Sequence, residues 1–585
     1  MATVPQHEVH DGLVQILTTE EKIRRRVEEE RRKLEREAGL EKRETKQFHR
    51  PIENMFTKSQ RAHTTILFGG LTWKHESLIH ATLERLGYKC EAIPTPDKRA
   101  FQLGKEYGNN GQCNPTYFTV GNLVQFLQRL EESGMSKQEI IDNYVFFTAG
   151  ACGPCRFGMY EAEYRLALRN SGFDGFRVMI FQQSGGLNQA EAEAGLEMNV
   201  EFFLGILNAM NIGDVINDIA YQIRPYEVNP GETDRVLEEC MNILQEHIRR
   251  KAPPRKMESV LSKVGLGDQG AKILAQLLGD DYLVPLRKVR DLFNSIEVDR
   301  TRVKPIVKIT GEFWAQTTEG DGNFNMFRFL EKEGGQVVVE PIGTWITYMI
   351  HQVVQKYQDT KGIEEGGVLP PAWRLDKHFK ISYDLRKKVA KLKAAEVIFR
   401  REYHRIVEAL GGIAHHLVDQ YELQRLGHPY YNSRSGGGEG HLEVAKNIYY
   451  HNKSLCHMVL CLKPFGCMPS TQSDGAQSAV MSHFKDMIFL PIETSGEGDV
   501  NAHSRVQMAL GEAKGKAKLE FNEVLNSTGY TLEEIRAFVE EHPELKKPMY
   551  RVPKCEHLTG VAANFVKHVA DRMKKEAPQA VAAVA

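Results

Sequence analysis

The stretch "TTILFGGLTWKHESLIHATLERLGYKCEAIPTP", residues 64–96, holds one complete unit of an α/β fold. Its opening TTILF is an apolar, β-branched run that ends at Gly69-Gly70, as a buried strand does. The following HESLIHATLERLGY places its apolar residues on one helical face and stops at Gly87, a residue suited to a helix C-terminus. KCEAIPTP then reads as a second strand. A strand, a helix and a strand in this order predict a parallel pair joined by a crossover helix.

The same alternation recurs outward from this unit. NYVFFTAG (143–150), FRVMIFQQ (176–183), PIVKITGEFW (305–314), QVVVEPIG (336–343), HMVLCLKPFGC (457–467) and DMIFLPIET (486–494) are short runs rich in β-formers. Helical patterns lie between them, which predicts parallel sheets covered on both faces. The fold class is α/β, with two or three Rossmann-like or flavodoxin-like parallel-sheet domains, helical insertions and a charged N-terminal helix. That helix is expected in residues 18–47, nearly all charged, with Thr18 and Glu21 placed for a capping box and only a thin apolar stripe of Ile23, Val27 and Leu34. The breaker KAPPRKM (251–257) and the loops KGIEEGGVLPP and SRSGGGEGH suggest boundaries. The segments are then 1–60, 61–255, 256–430, 431–535 and a helical tail over 536–585.

At 585 residues the chain needs more than one core. Its net charge of −1 offers no basic excess that would point to nucleic acid. No apolar run approaches the roughly 18 residues of a membrane helix. The N-terminal MATVPQHEVHDGL lacks a signal-peptide pattern, so a cytoplasmic location is expected. A GxxxxGK[ST] loop is absent, which argues against nucleotide hydrolysis.

The chemistry concentrates in cysteines. Of nine, Cys90, Cys240 and Cys555 are isolated and read as inert, while Cys113, the pair Cys152/Cys155, and Cys456, Cys461 and Cys467 fall in three clusters. Cys152-Gly-Pro-Cys155 follows a strand, Cys461 and Cys467 bracket LKPFG, and Cys113 lies in the polar loop YGNNGQCNPTYF. Ligands of open α/β sheets gather at the carboxyl ends of strands, so one site assembled from separate loops is expected. Three chemistries suit such a set. A dithiol at a helix N-terminus would have a lowered thiol pKa for exchange. A zinc site would need two further ligands, with His451 or His457 as candidates. An iron–sulfur cluster would take thiolates from distant loops, and the Gly and Pro beside these cysteines leave amides free to bond its sulfides. For Cys456, at the start of a strand, a ligand role and an inert buried one are equally open. His415-His416, Glu439-Gly-His441, TTEGDGN (317–323) and GEGDVNAHSR (496–505) are weaker candidates for acid/base or anion-binding roles.

The segment CLKPFGCMP (461–469) resembles the CLQPFGCLPNH signature of the activase-related proteins allied to 2-hydroxyacyl-CoA dehydratases. GNNGQCNPTYFTVGNLVQFL and TAGACGPCRFGMYEAEYRLALRNSGF resemble that group's cysteine-bearing segments, and VKITGEFWAQTTEGDGNFNMFRFLEKEGGQVV is similar to its second α/β unit. The likeness spans roughly residues 60–530. It departs at Met468-Pro-Ser470, where the family often has Pro-Asn-His. The resemblance implies an iron–sulfur cluster in a cleft between Rossmann-like domains. That cluster is either a [4Fe-4S] cubane held by three cysteines or a bridged double-cubane [8Fe-9S] cluster held by six. It implies Cys113, Cys152, Cys155, Cys461 and Cys467 as ligands, with Cys456 as a sixth. It further implies an actin/hexokinase-like ATPase activator, with its own cluster, as the electron-donating partner, and a homodimeric or heterodimeric assembly. The implied function is that of an electron-accepting reductase or dehydratase component acting on a small or CoA-linked substrate. A non-catalytic redox, cluster-carrying or assembly protein, or a structural zinc protein, is the alternative.

Overall fold

The computed structural model describes residues 7–10, 13–16, 18–37, 55–150, 155–182, 186–187, 194–250, 267–361, 370–371 and 373–582. The chain separates into two units, Met1–Ile52 and Glu53–Ala585. In the first, β1 (His7–His10) pairs antiparallel with β2 (Leu13–Ile16), Val9 opposite Val14. A 19-residue helix, Thr19–Glu37, follows. Its expected capping box is present. The Thr18 N–H and hydroxyl donate to Glu21 Oε2 at 2.7 and 2.8 Å, and the Glu21 N–H donates back to the Thr18 hydroxyl at 3.3 Å. Ile23, Val27 and Leu34 are exposed, as a thin stripe on a charged helix allows. The remainder of the expected helix, to residue 47, lies outside the described residues.

In the second unit, β3 (Thr65–Phe68), β4 (Lys89–Ala92), β5 (Tyr144–Gly150), β6 (Arg177–Gln182) and β7 (Gly186–Leu187) form one sheet. Its order is β4-β3-β5-β6-β7, parallel except for the short β7. A second sheet holds β8 (Ile306–Gly311), β9 (Gln336–Val338), β10 (Met458–Pro464) and β11 (Phe489–Thr494), all parallel, in the order β11-β10-β8-β9. Numbered within its own sheet, each set of four parallel strands runs 2-1-3-4. Both sheets therefore reverse direction between their first and third strands, where such folds bind ligands. β10 lies directly on β8, with Leu460 opposite Ile309. Residues 431–535 thus complete the sheet begun in 256–430 instead of making a third one.

The helix Val200–Ile223 joins the two halves. Its Phe202 belongs to the core under the first sheet and its Tyr221 to the core of the second. Ile212, Val215, Ile216 and Ile219 pack into a helical core with Phe399, Tyr403 and Ile406. Apolar residues surround this helix on nearly all sides, as its burial requires. The tail adds a small core of its own, in which Ile535 and Val539 meet Phe565 and Val566. Among the described residues, no helix is long and apolar enough to cross a membrane.

One close approach sets the position of Cys113. The helices Lys98–Tyr107 and Asn114–Glu132 cross with backbones in contact at Gly104 and Gly121. A Cβ on Gly121 would lie 1.8 Å from the Ala100 carbonyl oxygen and 2.4 Å from the Gly104 nitrogen. Neither backbone atom can move aside alone. Gly121→Ala is therefore expected to destabilise the protein by about 1–3 kcal/mol, the usual cost of overpacking, seen as a lower midpoint in urea unfolding followed by circular dichroism.

Candidate functional site

Three of the predicted cysteines open helical turns. Cys113 is the N-cap of Asn114–Glu132, Cys467 that of Met468–His483, and Cys155 that of the 3₁₀ turn Arg156–Met159 that leads into Tyr160–Asn170. The first two share a local grammar. Cys113-Asn-Pro115 and Cys467-Met-Pro469 each place proline inside the first turn, where its missing N–H costs nothing. All three backbones are extended at the cysteine.

Contacts between the two sheets bring these turns together. The Asn114 N–H donates to the Phe465 carbonyl at 3.0 Å. Gly466, at φ 75°, packs so closely that a Cβ there would lie 3.4 Å from Cys113 Cα. Gly438, at φ 92°, has the same relation to Pro469 and to Cys155, whose Cβ would be 3.6 Å away. Cys113, Cys155 and Cys467 thus stand around one cleft at the carboxyl ends of both sheets. The thiol of Cys113 also meets the Thr116 hydroxyl at 3.1 Å and the Tyr160 hydroxyl at 3.2 Å.

Two partly buried acids line the same cleft. Glu312 follows β8 directly, and its Oε2 accepts the Ala315 N–H at 2.9 Å. The Phe313 N–H donates to Glu439 Oε2 at 2.6 Å, so the two carboxyl groups sit side by side at one short helix. Burial raises the pKa of both, Glu312 to about 7, and their mutual repulsion raises Glu439 further. Burial likewise dominates at the thiols. It pushes Cys155 up to about 12 and raises Cys113 and Cys467, overcoming the opposing pull of the amides of Phe157, Thr116 and Ser470.

The other predicted ligands lie elsewhere. Cys461 is in the middle of β10, between Thr310 and Pro491, and its thiol donates to Glu443 Oε1 at 3.0 Å. Cys456 precedes β10 at the amino edge of the sheet, packed among Ile306, Val338, Tyr450 and Val459. Since β10 separates it from the strand-end cleft, it does not join Cys113, Cys155 and Cys467, and the six-cysteine set is not assembled among the described residues. Cys152 lies outside the described residues. Cys240 is sealed in the helical core and Cys90 faces the His80 carbonyl, both consistent with inert roles. Among the described residues no three His, Cys, Asp or Glu side chains are placed to share one metal ion. Zinc would draw its donors to within roughly 4 Å of one another. His457 sits at the amino edge of β8, where its Nδ1 accepts the Ile306 N–H, and His451 faces Asp486, so neither is placed at the strand-end cysteines Cys113, Cys155 and Cys467. A cluster spreads its donors over several irons and makes no such demand.

The weaker candidates have structural work. His415 is held by Asp218, whose Oδ2 accepts its backbone N–H at 2.6 Å and whose carboxylate lies 2.9 Å from its Nδ1. Asp321 of TTEGDGN accepts the Lys98 N–H at 3.0 Å, and Lys98 Nζ reaches Asp499 of GEGDVNAHSR at 3.1 Å. These two loops therefore clasp the first sheet's domain. His503 stacks on Phe329 at 4.0 Å. His441 is buried and its pKa is lowered to about 4 by that burial. Of the acids at the cysteines, Glu439 is among the weak acid/base candidates of the sequence, whereas Glu312 is marked only by the glycine before it at a strand end.

No family model matches the chain, and no curated protein matches it.

The Gly69-Gly70 loop after β3 is closed from within. Glu76 accepts the Gly70 N–H at 2.9 Å and the Leu71 N–H at 3.1 Å, using amides that an anion would need. Burial pushes the Glu76 carboxyl from 4.5 up to about 8. The folded chain then keeps a proton that the unfolded chain loses, so stability falls as pH rises between these values. Relative to Glu76→Gln, the wild type is expected to lose about 1 kcal/mol or more over that range, measured by urea unfolding at pH 5 and pH 8.

Proposed function

We propose that this chain is an iron–sulfur protein of the type allied to 2-hydroxyacyl-CoA dehydratases. In this reading it accepts low-potential electrons from an ATP-dependent activator and uses them to reduce or dehydrate a small or CoA-linked substrate. One observation carries the reading: three free thiols from separate loops of two sheets converge with partly buried acids in a single cleft. Protonated, these groups are neutral and inert. A polynuclear iron centre is the kind of positive charge that would displace their protons.

Among the described residues, Cys113, Cys155 and Cys467 are those that would hold such a cluster, and Cys152, outside them, stays a candidate ligand beside them. When bound, it would supply a low-potential one-electron store with iron accessible to substrate. The chain's own groups would do the remaining work. The Tyr160 hydroxyl and the first-turn amides of Thr116, Phe157 and Ser470 sit against the sulfurs, where hydrogen bonds raise the potential of a thiolate-bound centre. Deep burial of Cys113 and Cys467 keeps bulk water off them. Glu439, held at the Phe313 N–H, keeps a proton beside the cleft.

Anaerobic purification with iron and sulfide analysis tests this reading. The expected result is about four irons and matching sulfide per chain, with an EPR signal after dithionite reduction. Cys113→Ser, Cys155→Ser and Cys467→Ser should each lose most of the iron, whereas Cys456→Ser and Cys461→Ser should keep it. Stoichiometric zinc, or no metal at all, would sink the proposal.

A further inference from the structure

The first half of the helix Leu375–Ala409 carries a surface that the fold does not use. From Leu375 to Ile398 only Ile381 is fully buried, whereas Phe399, Tyr403 and Ile406 sit in the helical core and hold the second half. Just before this arm and along it, Trp373 is 75% exposed, Leu375 74%, Phe379 73% and Tyr383 57%. No denser run of exposed large apolar side chains occurs among the described residues. The rings of Phe379 and Tyr383 lie 6.5 Å apart and 15° from parallel. Contiguous apolar side chains left in solvent mark a contact surface.

Charge is sorted beside these residues. Residues 373–393 hold eight Lys or Arg against Asp376 and Asp384, a net +6 within a chain of net −1. At about 100° per residue, Leu375, Phe379 and Tyr383 span about 80° of the helix, and Arg386 closes that sector at its far end. Lys380, Lys387, Lys391 and Lys377 fill the next sector, at about 120–200° from Leu375. Ile381, at about 240°, turns toward the body of the protein. The four lysines and Arg386 are exposed, and among the described residues none of them has an acidic partner. The arm is thus three-sided, with one side packed, one apolar and one cationic.

A second copy does not suit this surface, since two arms would bring +6 against +6. A lone convex ridge also lacks the groove in which a single nucleic-acid strand is held. An acidic protein would need a cleft shaped to this ridge, whereas a bilayer yields around it. An anionic bilayer satisfies both free sides at once: Trp, Leu, Phe and Tyr enter at headgroup level while lysines stand over the lipid phosphates. We propose that residues 373–393 form a peripheral docking arm for an anionic lipid bilayer, the apolar ridge set among the headgroups and the lysine ridge against their phosphates. The arm lies on the interface and does not span it; among the described residues no helix is long and apolar enough to cross. The inference is independent of the iron–sulfur reading.

The test mixes full-length protein, purified without oxygen, with vesicles of phosphatidylcholine alone or with about a quarter phosphatidylglycerol. Flotation reads the bound fraction. Wild type is expected to float with the anionic vesicles at low salt and to stay free of phosphatidylcholine. Salt at about 0.5 M should release it, because the attraction is then screened. A triple variant, Lys380→Glu with Lys387→Glu and Lys391→Glu, should bind about a hundredfold more weakly, at roughly fivefold for each charge removed. Phe379→Ser should weaken binding about tenfold through lost apolar burial. Tryptophan emission should shift to the blue on anionic vesicles in wild type and shift less in Trp373→Phe. All these sites are exposed, so circular dichroism and urea midpoints should match wild type. Wild type that fails to float with anionic vesicles overturns the inference, as does equal flotation of wild type and the triple variant. Binding to a labelled single-stranded oligonucleotide without binding to vesicles overturns it in favour of nucleic acid. A dimer seen by light scattering that Phe379→Ser dissolves overturns it in favour of a second copy.

Discussion

A backbone hydrogen bond from the Asn114 N–H to the Phe465 carbonyl joins the two halves of this molecule at the cysteine turns. It joins the first amide of one cysteine-capped helix to the loop that leads to the other. Around it the chain uses glycines, because Gly466 and Gly438 turn at positive φ beside Cys113 and Cys155, and a Cβ on Gly438 would lie 2.5 Å from Pro469 Cγ. The Gly104–Gly121 helix crossing and the Lys98 clasp to Asp321 and Asp499 serve the same end from the side. The cleft is therefore a product of contacts between domains, and neither sheet contains it alone.

Within the cleft, two electrostatic effects oppose each other. Helix N-termini favour thiolate, and burial favours thiol. At Cys113, Cys155 and Cys467 burial prevails over the few hydrogen bonds that each sulfur receives. The neighbouring acids strengthen that outcome, because Glu312 and Glu439 are themselves pressed toward their neutral forms. A collection of protonated acids is stable but has little chemistry. Its character depends on whether a cation replaces the protons, which is why iron is the quantity to measure.

Much of this was legible in the sequence. TTILFGG, NYVFFTAG and KITGE announced strands that end at or just before glycine, and they do, because buried parallel strands need continuous apolar runs and sharp exits. The placement of Cys155 and Cys467 after strands, and of Cys113 in a polar loop before a helix, followed from the same reading. The places where it fell short have physical causes. A strand buried on both faces shows no alternation, so HMVLCLKPFGC could not say that Cys461 lies inside β10 and Cys456 before it, while Cys467 alone lies beyond. The long helical excursion between Val338 and Met458 hid the pairing of β10 with β8, and with it the count of sheets. The convergence of Glu312 and Glu439 was invisible because it depends on how one glycine-rich loop meets the end of another strand. The hairpin of β1 and β2 was also missed, since its short strands are interspersed with polar and charged residues.

The separation of the three thiols along the chain has a consequence for how the protein is made. Roughly 300 residues lie between Cys155 and Cys467. At synthesis rates of roughly 5–20 residues per second, the first two cysteines leave the ribosome tens of seconds before the third. During that interval the first sheet can fold, yet its thiols have no opposing wall and remain open to oxidants and stray metals. Loading of any cofactor is thus a late event in the life of the chain, and the order of synthesis makes the upstream cysteines the ones that a cell would need to guard.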